Sequence, residues 1–376
     1  MNRKTVANLF LGFSIALLPL YTRVTSLDFN RTSKDNLLLT LLGAACILLP
    51  VASRKMNKYM WVSICYGLFF LVYNQWNVLS INVMMQVFYI SMGFTFFANY
   101  YERHDVDSLH YIYKGMAVGA FIQGVFAISG YLGHEWYFHS LMFVLGIDAK
   151  IHTSGAGSIN AVGSLGNTNL SASYLCMTIP AFLSFKKKYW LLALVPITGL
   201  ILTDALMSIL PFFAGLVYYW NIEKKILKKW FIYLSASTAM IALPFLPLNI
   251  DNGRFLPWKM LMELVDWSHA LIGKGAGWFA DKKIYVEKSD VYFQQEHNVF
   301  LSVFNLYGLI GVLLLLPIFY KFVLSEDKNK IFSTVLFIAF CNGYGHFLGH
   351  QSTSVIVALI AACVCLAEGR NNVIDV

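Results

Sequence analysis

Long apolar stretches separated by short polar ones dominate the chain, and their lengths predict its elements. A helix that crosses a bilayer needs about 20 mostly apolar residues. Hydropathy on that measure predicts about twelve spans, over residues 6–22, 36–53, 59–76, 78–99, 110–132, 171–185, 189–203, 205–221, 230–247, 298–322, 331–348 and 351–368. The stretches 171–185 and 189–203 are short, so tilted, broken or merged helices are expected there. Two polar segments stand out. Residues 133–170 hold a short apolar piece, Trp136 to Gly146, suited to the interface, and then a Gly/Ser/Asn-rich run from Thr153 to Asn169. Residues 248–297 form the longest polar segment, in which the Trp-, Leu- and Met-rich stretch from Phe255 to Leu271 reads as an interfacial amphipathic helix. No repeat of fixed period is visible. The expected fold is all-α: one polytopic integral domain over residues 1–376, with 133–170 and 248–297 as external loops.

Composition strengthens this reading. The chain is 58% hydrophobic and 13% charged, against about 25% charged in soluble domains. Basic residues orient the spans. Arg3, Lys4, Arg54, Lys55, Lys58, Arg103, Lys114, Lys186 to Lys188, Lys224, Lys225, Lys228, Lys229, Lys321, Lys328, Lys330 and Arg370 all fall on one side if both termini are cytoplasmic. The first loop, with Arg23, Arg31 and Lys34, runs against this. The net charge of +8 reflects these anchors, so no nucleic-acid partner is implied. The six cysteines sit in apolar segments without metal-ligand spacing, so neither a metal site nor a disulfide framework is expected. The first apolar segment lacks a small-residue cleavage site and reads as a retained span.

Within this frame a few residues carry chemistry. Gly115-Xaa-Xaa-Xaa-Gly119 has the spacing that lets two helices approach closely. In the Gly/Ser/Asn-rich run, composition reads as a flexible external linker, whereas its glycines also permit a close backbone approach. Asn167 and Asn169 there supply amide donors and acceptors. Asp204, near Ser208 and Pro211, reads either as a functional intramembrane acid or as a solvated helix-start residue. Arg254 suits a phosphate or diphosphate, being always charged and bidentate. His297, where the long loop enters a span, suits proton exchange near neutrality. Together they fit transfer from a lipid diphosphate: charge neutralisation of the leaving group and a base for an incoming hydroxyl. Lys274 lies among the loop glycines, and Glu296 adjoins His297. His346, His350 and Gln351, at the turn between the last two spans, read as interfacial polar residues or as the lining of an acceptor site. Trp258, Trp267, Trp278, Tyr285, Tyr292 and Phe293 offer faces for sugar rings or anchors for the interface.

The order of these pieces resembles the O-antigen ligase and polymerase family. The matching motifs are Gly166-Asn167-Thr168-Asn169, Arg254 to Trp258, Gly273 to Gly277, His297-Asn298 to Leu301, and Gly308-Leu309-Ile310-Gly311. They fall between about residues 160 and 320. The resemblance implies a metal-independent inverting glycosyltransferase of the membrane-embedded GT-C type, without cofactor, in the bacterial inner membrane with its active face periplasmic. Its donor would be an undecaprenyl-diphosphate-linked glycan. The acceptor would be lipid A–core for an O-antigen ligase of lipopolysaccharide biosynthesis, or another lipid-linked glycan for a polymerase. By the same resemblance Arg254 holds the diphosphate and His297 activates the acceptor hydroxyl or steadies the leaving group. Lys274, Asn167, Asn169, Trp258, Glu296 and His350 are the expected substrate-binding residues. One departure stands out: family members carry an Arg after a Thr-Xaa-Ser at the end of an earlier span. Here that stretch reads Leu202-Thr203-Asp204-Ala205-Leu206-Met207-Ser208, leaving Lys274, Lys259 or Lys150 as substitute cations. A transporter or lipid-glycan flippase is the competing class. It predicts structural repeats and charges near the midplane of several spans, and neither is visible.

Overall fold

The computed structural model describes residues 3–21, 107–132, 163–165, 168–242, 267–273, 284–286, 291–293, 304, 308–310 and 330–342. Seven α-helices stand among them: α1 (Arg3–Tyr21), α2 (Asp107–Tyr131), α3 (Thr168–Thr178), α4 (Leu194–Leu202), α5 (Leu206–Lys224), α6 (Lys229–Ala242) and α7 (Lys330–Cys341). Among the described residues one helical stretch, Leu109–Tyr131, is long and apolar enough to cross a membrane, and Lys330–Cys341 is a shorter apolar helix. The described structure is therefore predominantly helical, as the hydropathy pattern predicts. It departs from all-α in the long polar segment, where β1 (Ile284–Val286) and β2 (Val291–Phe293) pair antiparallel, with Tyr285 opposite Tyr292. Both strands consist of β-branched and aromatic residues, which favour the extended backbone.

Contacts fix the directions of the helices. Along α1, Gly12, Ala16 and Pro19 meet Gly115, Gly119 and the neighbourhood of Gln123 in turn, so α1 and α2 run parallel. Gly115-Xaa-Xaa-Xaa-Gly119 provides that seam: a Cβ on Gly115 would stand 2.5 Å from the Gly12 carbonyl oxygen. Further along α2, Gly124 receives the backbone of Pro196, which seats α4. Such backbone proximity yields dispersion contacts that larger side chains would prevent. Helix α3 also packs on α2 and runs antiparallel to it: Ser171 meets Gln123, Tyr174 meets Gly119, and Phe185 lies against His110. On the far side α5 and α7 are antiparallel, with Tyr218 stacked on Phe337 at 4.4 Å and Ser208 reaching Asn342. Helix α3 is central, buried from Leu170 to Thr178.

The two short predicted spans break as expected. Thr178 turns its hydroxyl back to the Tyr174 carbonyl at 2.8 Å, and Pro180 lacks the N–H that an α-helix would use. The chain tightens into a 3₁₀ helix, Ile179–Ser184. A second 3₁₀ helix, Lys187–Ala193, leads into α4. The described part of each predicted span is thus part α and part 3₁₀.

These directions give the bundle two chemically different ends. Every lysine and arginine among the described residues lies toward the end formed by the starts of α1, α2 and α7, the Phe185–Lys188 link and the α5–α6 turn. The opposite end holds the Gly163–Leu165 turn, the start of α3, the Thr203–Ala205 turn and Asn342.

Candidate functional site

Two segments of the sequence motifs meet through their backbones. After the 3₁₀ turn Trp267–His269, the Gly273 N–H donates to the His269 carbonyl at 2.7 Å, and Gly273 holds φ +82°. Gly308 follows far along the chain at φ +63°, left-handed backbone that L side chains rarely adopt. The next two N–H groups, of Leu309 and Ile310, donate to the carbonyls of Ala270 and Leu271 at 2.8 and 3.2 Å. These bonds tie the helical residues 308–310 to the loop. A Cβ on Gly308 would stand 2.5 Å from the Leu271 carbonyl and 2.6 Å from the Gly273 nitrogen. Glycine at 308 is therefore a requirement of the contact. Of the predicted span 298–322, residues 304 and 308–310 are described, and they are helical.

The other end of the motif series is anchored by side chains. Gly163 also adopts φ +63°, and a Cβ there would overlap the Gln123 amide. That amide takes the Ser164 backbone N–H at 3.2 Å and the Ser164 hydroxyl on its oxygen, and its nitrogen donates to the Ser171 hydroxyl at 2.8 Å. The Ser164 hydroxyl is also 3.0 Å from the Pro19 carbonyl. Gln123, Ser164 and Ser171 are all buried. This network ties α1, α2 and α3 around the turn that leads into Gly166-Asn167-Thr168-Asn169. Of the two readings of the Gly/Ser/Asn-rich run, its described residues 163–165 follow the close backbone approach.

A second buried network lies on the opposite face of α3. The Asn342 amide nitrogen donates toward the Ser173 and Ser208 hydroxyls at 3.2 and 3.3 Å and toward the Cys176 sulfur at 3.5 Å. The two hydroxyls are 3.3 Å apart. Asn342 Oδ1 is buried and has no hydrogen-bond partner among the described residues. The cluster fixes α3 to α5 and α7, so the start of α3 is held on both faces. Sequence reasoning singled out Ser208 but missed Ser173 and Asn342, because nothing local marks residues separated by 169 positions as partners.

Of the residues expected to bind substrate or act on it, Asn169 is described: it is half-buried in the first turn of α3. His297, Arg254, Lys274, Asn167, Trp258, Glu296 and His350 lie outside the described residues, as do Lys150 and Lys259. The stretch departing from the family pattern is described. Thr203 bonds the Leu200 carbonyl through its hydroxyl at 2.6 Å, and Asp204 is exposed at φ +52° in the α4–α5 turn. Asp204 stands just ahead of the start of α5. No group of His, Cys, Asp and Glu among the described residues could hold a metal ion. Comparison of the chain with protein-family models, curated proteins and solved structures finds no match.

Proposed function

We propose that the chain is a membrane glycosyltransferase of about twelve spans that moves a glycan from undecaprenyl diphosphate to an acceptor on the periplasmic face, as an O-antigen ligase acting on lipid A–core. The observation that carries this reading is the junction of Gly273 with Gly308. The Leu309 and Ile310 N–H groups of the second glycine motif donate to the Ala270 and Leu271 carbonyls just ahead of the first, and a Cβ on Gly308 would collide with that contact. Lys274 follows the first directly, and His297 precedes the second on the same predicted entry into the bilayer. The separation of the lysines from the Gly163–Asn169 end supports the assigned orientation, since cytoplasmic loops collect basic residues.

In this mechanism the Arg254 guanidinium grips the donor diphosphate, and His297 accepts the proton of the acceptor hydroxyl. The acceptor oxygen forms a bond to the anomeric carbon from the face opposite the diphosphate. The bond from that carbon to the diphosphate oxygen breaks, its electron pair leaves with undecaprenyl diphosphate, and the configuration inverts. Asn169 and Asn167 contribute hydroxyl-binding amides at the start of α3, with Trp258, Glu296, Lys274 and His350 as further substrate contacts. Lys274 supplies, in this reading, the positive charge that the Thr203–Ser208 stretch lacks.

The test uses purified protein and one undecaprenyl-diphosphate glycan, offered with lipid A–core and alone, with products sized on a gel. Glycan on lipid A–core is expected. A ladder built from donor alone would reassign the chain as a polymerase, and donor binding without any product would point to a flippase. Arg254→Ala and His297→Ala should each lower transfer by about 10²-fold or more while insertion is unchanged. Near-normal turnover in both would remove their assigned roles.

A further inference from the structure

At the basic end of the bundle the link between the two 3₁₀ helices is held by contacts that involve aromatic rings. Phe185 closes the first 3₁₀ helix and lies 5.9 Å, centroid to centroid, from the His110 ring in the first turn of α2. The Trp190 indole N–H returns to the Phe185 carbonyl at 3.0 Å, and the Tyr189 N–H to the Lys186 carbonyl at 2.8 Å. Lys186, Lys187 and Lys188 are thereby displayed on a closed turn, and all are exposed. Lys114, also exposed, is one turn of α2 beyond His110. Two of these ammonium groups are steadied by neighbouring rings: Lys188 at 5.0 Å from Tyr189 and Lys114 at 5.6 Å from Tyr111.

Immediately after the lysines the surface changes character. Tyr189, Trp190, Leu191 and Leu192 are exposed, Leu191 by 71%. The Lys186–Lys188 cations therefore adjoin a strip of exposed apolar and aromatic side chains, with Lys114 one turn of α2 beyond the His110 contact. Water alone suits the lysines but not the strip. A lipid monolayer suits both, with acyl chains against the strip, the Trp and Tyr at the headgroup level, and lysines reaching outward to phosphate.

Resting on the membrane reading above, we propose that the Lys186–Lys188 turn, with Lys114 beside it, is a binding site for one acidic phospholipid headgroup in the cytoplasmic leaflet. The α5–α6 turn, with exposed Lys224, Lys225 and Lys228, carries similar charge at the same end. That turn is also closed, by the Asn221 amide on the Leu227 backbone, but no aromatic ring lies against its lysines among the described residues, and it serves as the comparison. A discrete site depends on cations fixed over rings beside the His110–Phe185 contact, whereas diffuse attraction depends only on the number of charges.

The experiment takes the full chain, delipidated in detergent, with phosphatidylglycerol or phosphatidylcholine of identical acyl chains, and counts retained lipids by native mass spectrometry. A parallel flotation assay with phosphatidylcholine liposomes tests whether the protein partitions into a bilayer at all. Wild type should retain phosphatidylglycerol about fivefold or more over phosphatidylcholine. The triple variant Lys186→Gln, Lys187→Gln, Lys188→Gln should lose that preference, its arginine counterpart should keep it, and the triple variant Lys224→Gln, Lys225→Gln, Lys228→Gln should keep it too. Equal loss in both glutamine variants, or no preference in wild type, overturns the site while leaving the membrane reading intact. Failure to float with liposomes overturns both.

Discussion

Substitution at Gly119 gives a sharp test of the α1–α2–α3 seam. A Cβ there would overlap the Tyr174 hydroxyl and stand 3.2 Å from the Ala16 carbonyl oxygen. Tyr174 is fully buried and so cannot swing aside. Overpacking of this kind costs about 1–3 kcal/mol. Replacing a helical glycine by alanine returns about 1 kcal/mol of helix propensity, so Gly119→Ala should destabilise the protein by up to about 2 kcal/mol. The Tyr174 hydroxyl has no hydrogen-bond partner among the described residues. Tyr174→Phe therefore removes an unsatisfied buried group, whose burial costs about 1–3 kcal/mol, and should be neutral or stabilising. In the double variant the methyl occupies the space of the missing hydroxyl. The prediction is a favourable coupling of about 1–2 kcal/mol between the two changes, read from equilibrium unfolding in mixed micelles titrated with sodium dodecyl sulfate. Gly115→Ala provides the control, because its Cβ would meet the Gly12 backbone at 2.5 Å and Tyr174→Phe should not rescue it. Additivity within about 0.5 kcal/mol at Gly119 would refute the packing argument.

Other substitutions probe the two networks and the glycine junction. Gly308→Ala should cost more than about 1 kcal/mol from its left-handed backbone and more from collision with Leu271, and transfer should fall although Arg254 and His297 are intact. Unchanged unfolding and turnover would show that the junction is dispensable. At the second network an asymmetry is expected. Asn342→Leu leaves Ser173 and Ser208 facing each other and removes the unpartnered carbonyl, so it should cost less than the double change Ser173→Ala, Ser208→Ala, which leaves the amide nitrogen only the weak Cys176 sulfur acceptor and should cost about 1–3 kcal/mol. Equal losses in unfolding titrations would contradict that accounting. Gln123→Leu should release the Gly163–Leu165 turn, seen as faster hydrogen exchange at the start of α3 with the rest of the bundle protected; unchanged exchange there would argue that the amide does not hold the turn.

Hydropathy and small-residue spacing were enough to anticipate much of the bundle. The described helices fall on predicted spans because the apolar lengths, read residue by residue, carry that information locally. Gly115 and Gly119 were identifiable for the same reason: their spacing places both on one helix face. The α-to-3₁₀ breaks were half legible, since Pro180 and the short apolar lengths signal an interruption without giving its geometry. The left-handed backbone of Asp204 in the α4–α5 turn is not revealed by composition. The short ladder of Ile284–Val286 with Val291–Phe293 was not anticipated, because three-residue strands give too little alternation to be distinguished from an aromatic loop.

Local order along the chain thus determined the apolar helices, the small-residue seam and the segregation of basic residues. Tertiary structure alone decided which polar groups share a buried cluster. Gln123 with Ser164 and Ser171, and Asn342 with Ser173 and Ser208, become partners because antiparallel and parallel packing brings distant turns to one level. The junction of Gly273 with Gly308 arises in the same way: each glycine is visible in the sequence, but the carbonyls that meet Leu309 and Ile310 come from another part of the chain. A hydrogen bond in a low-dielectric interior depends on distance and direction in space, and periodicity encodes neither across such separations.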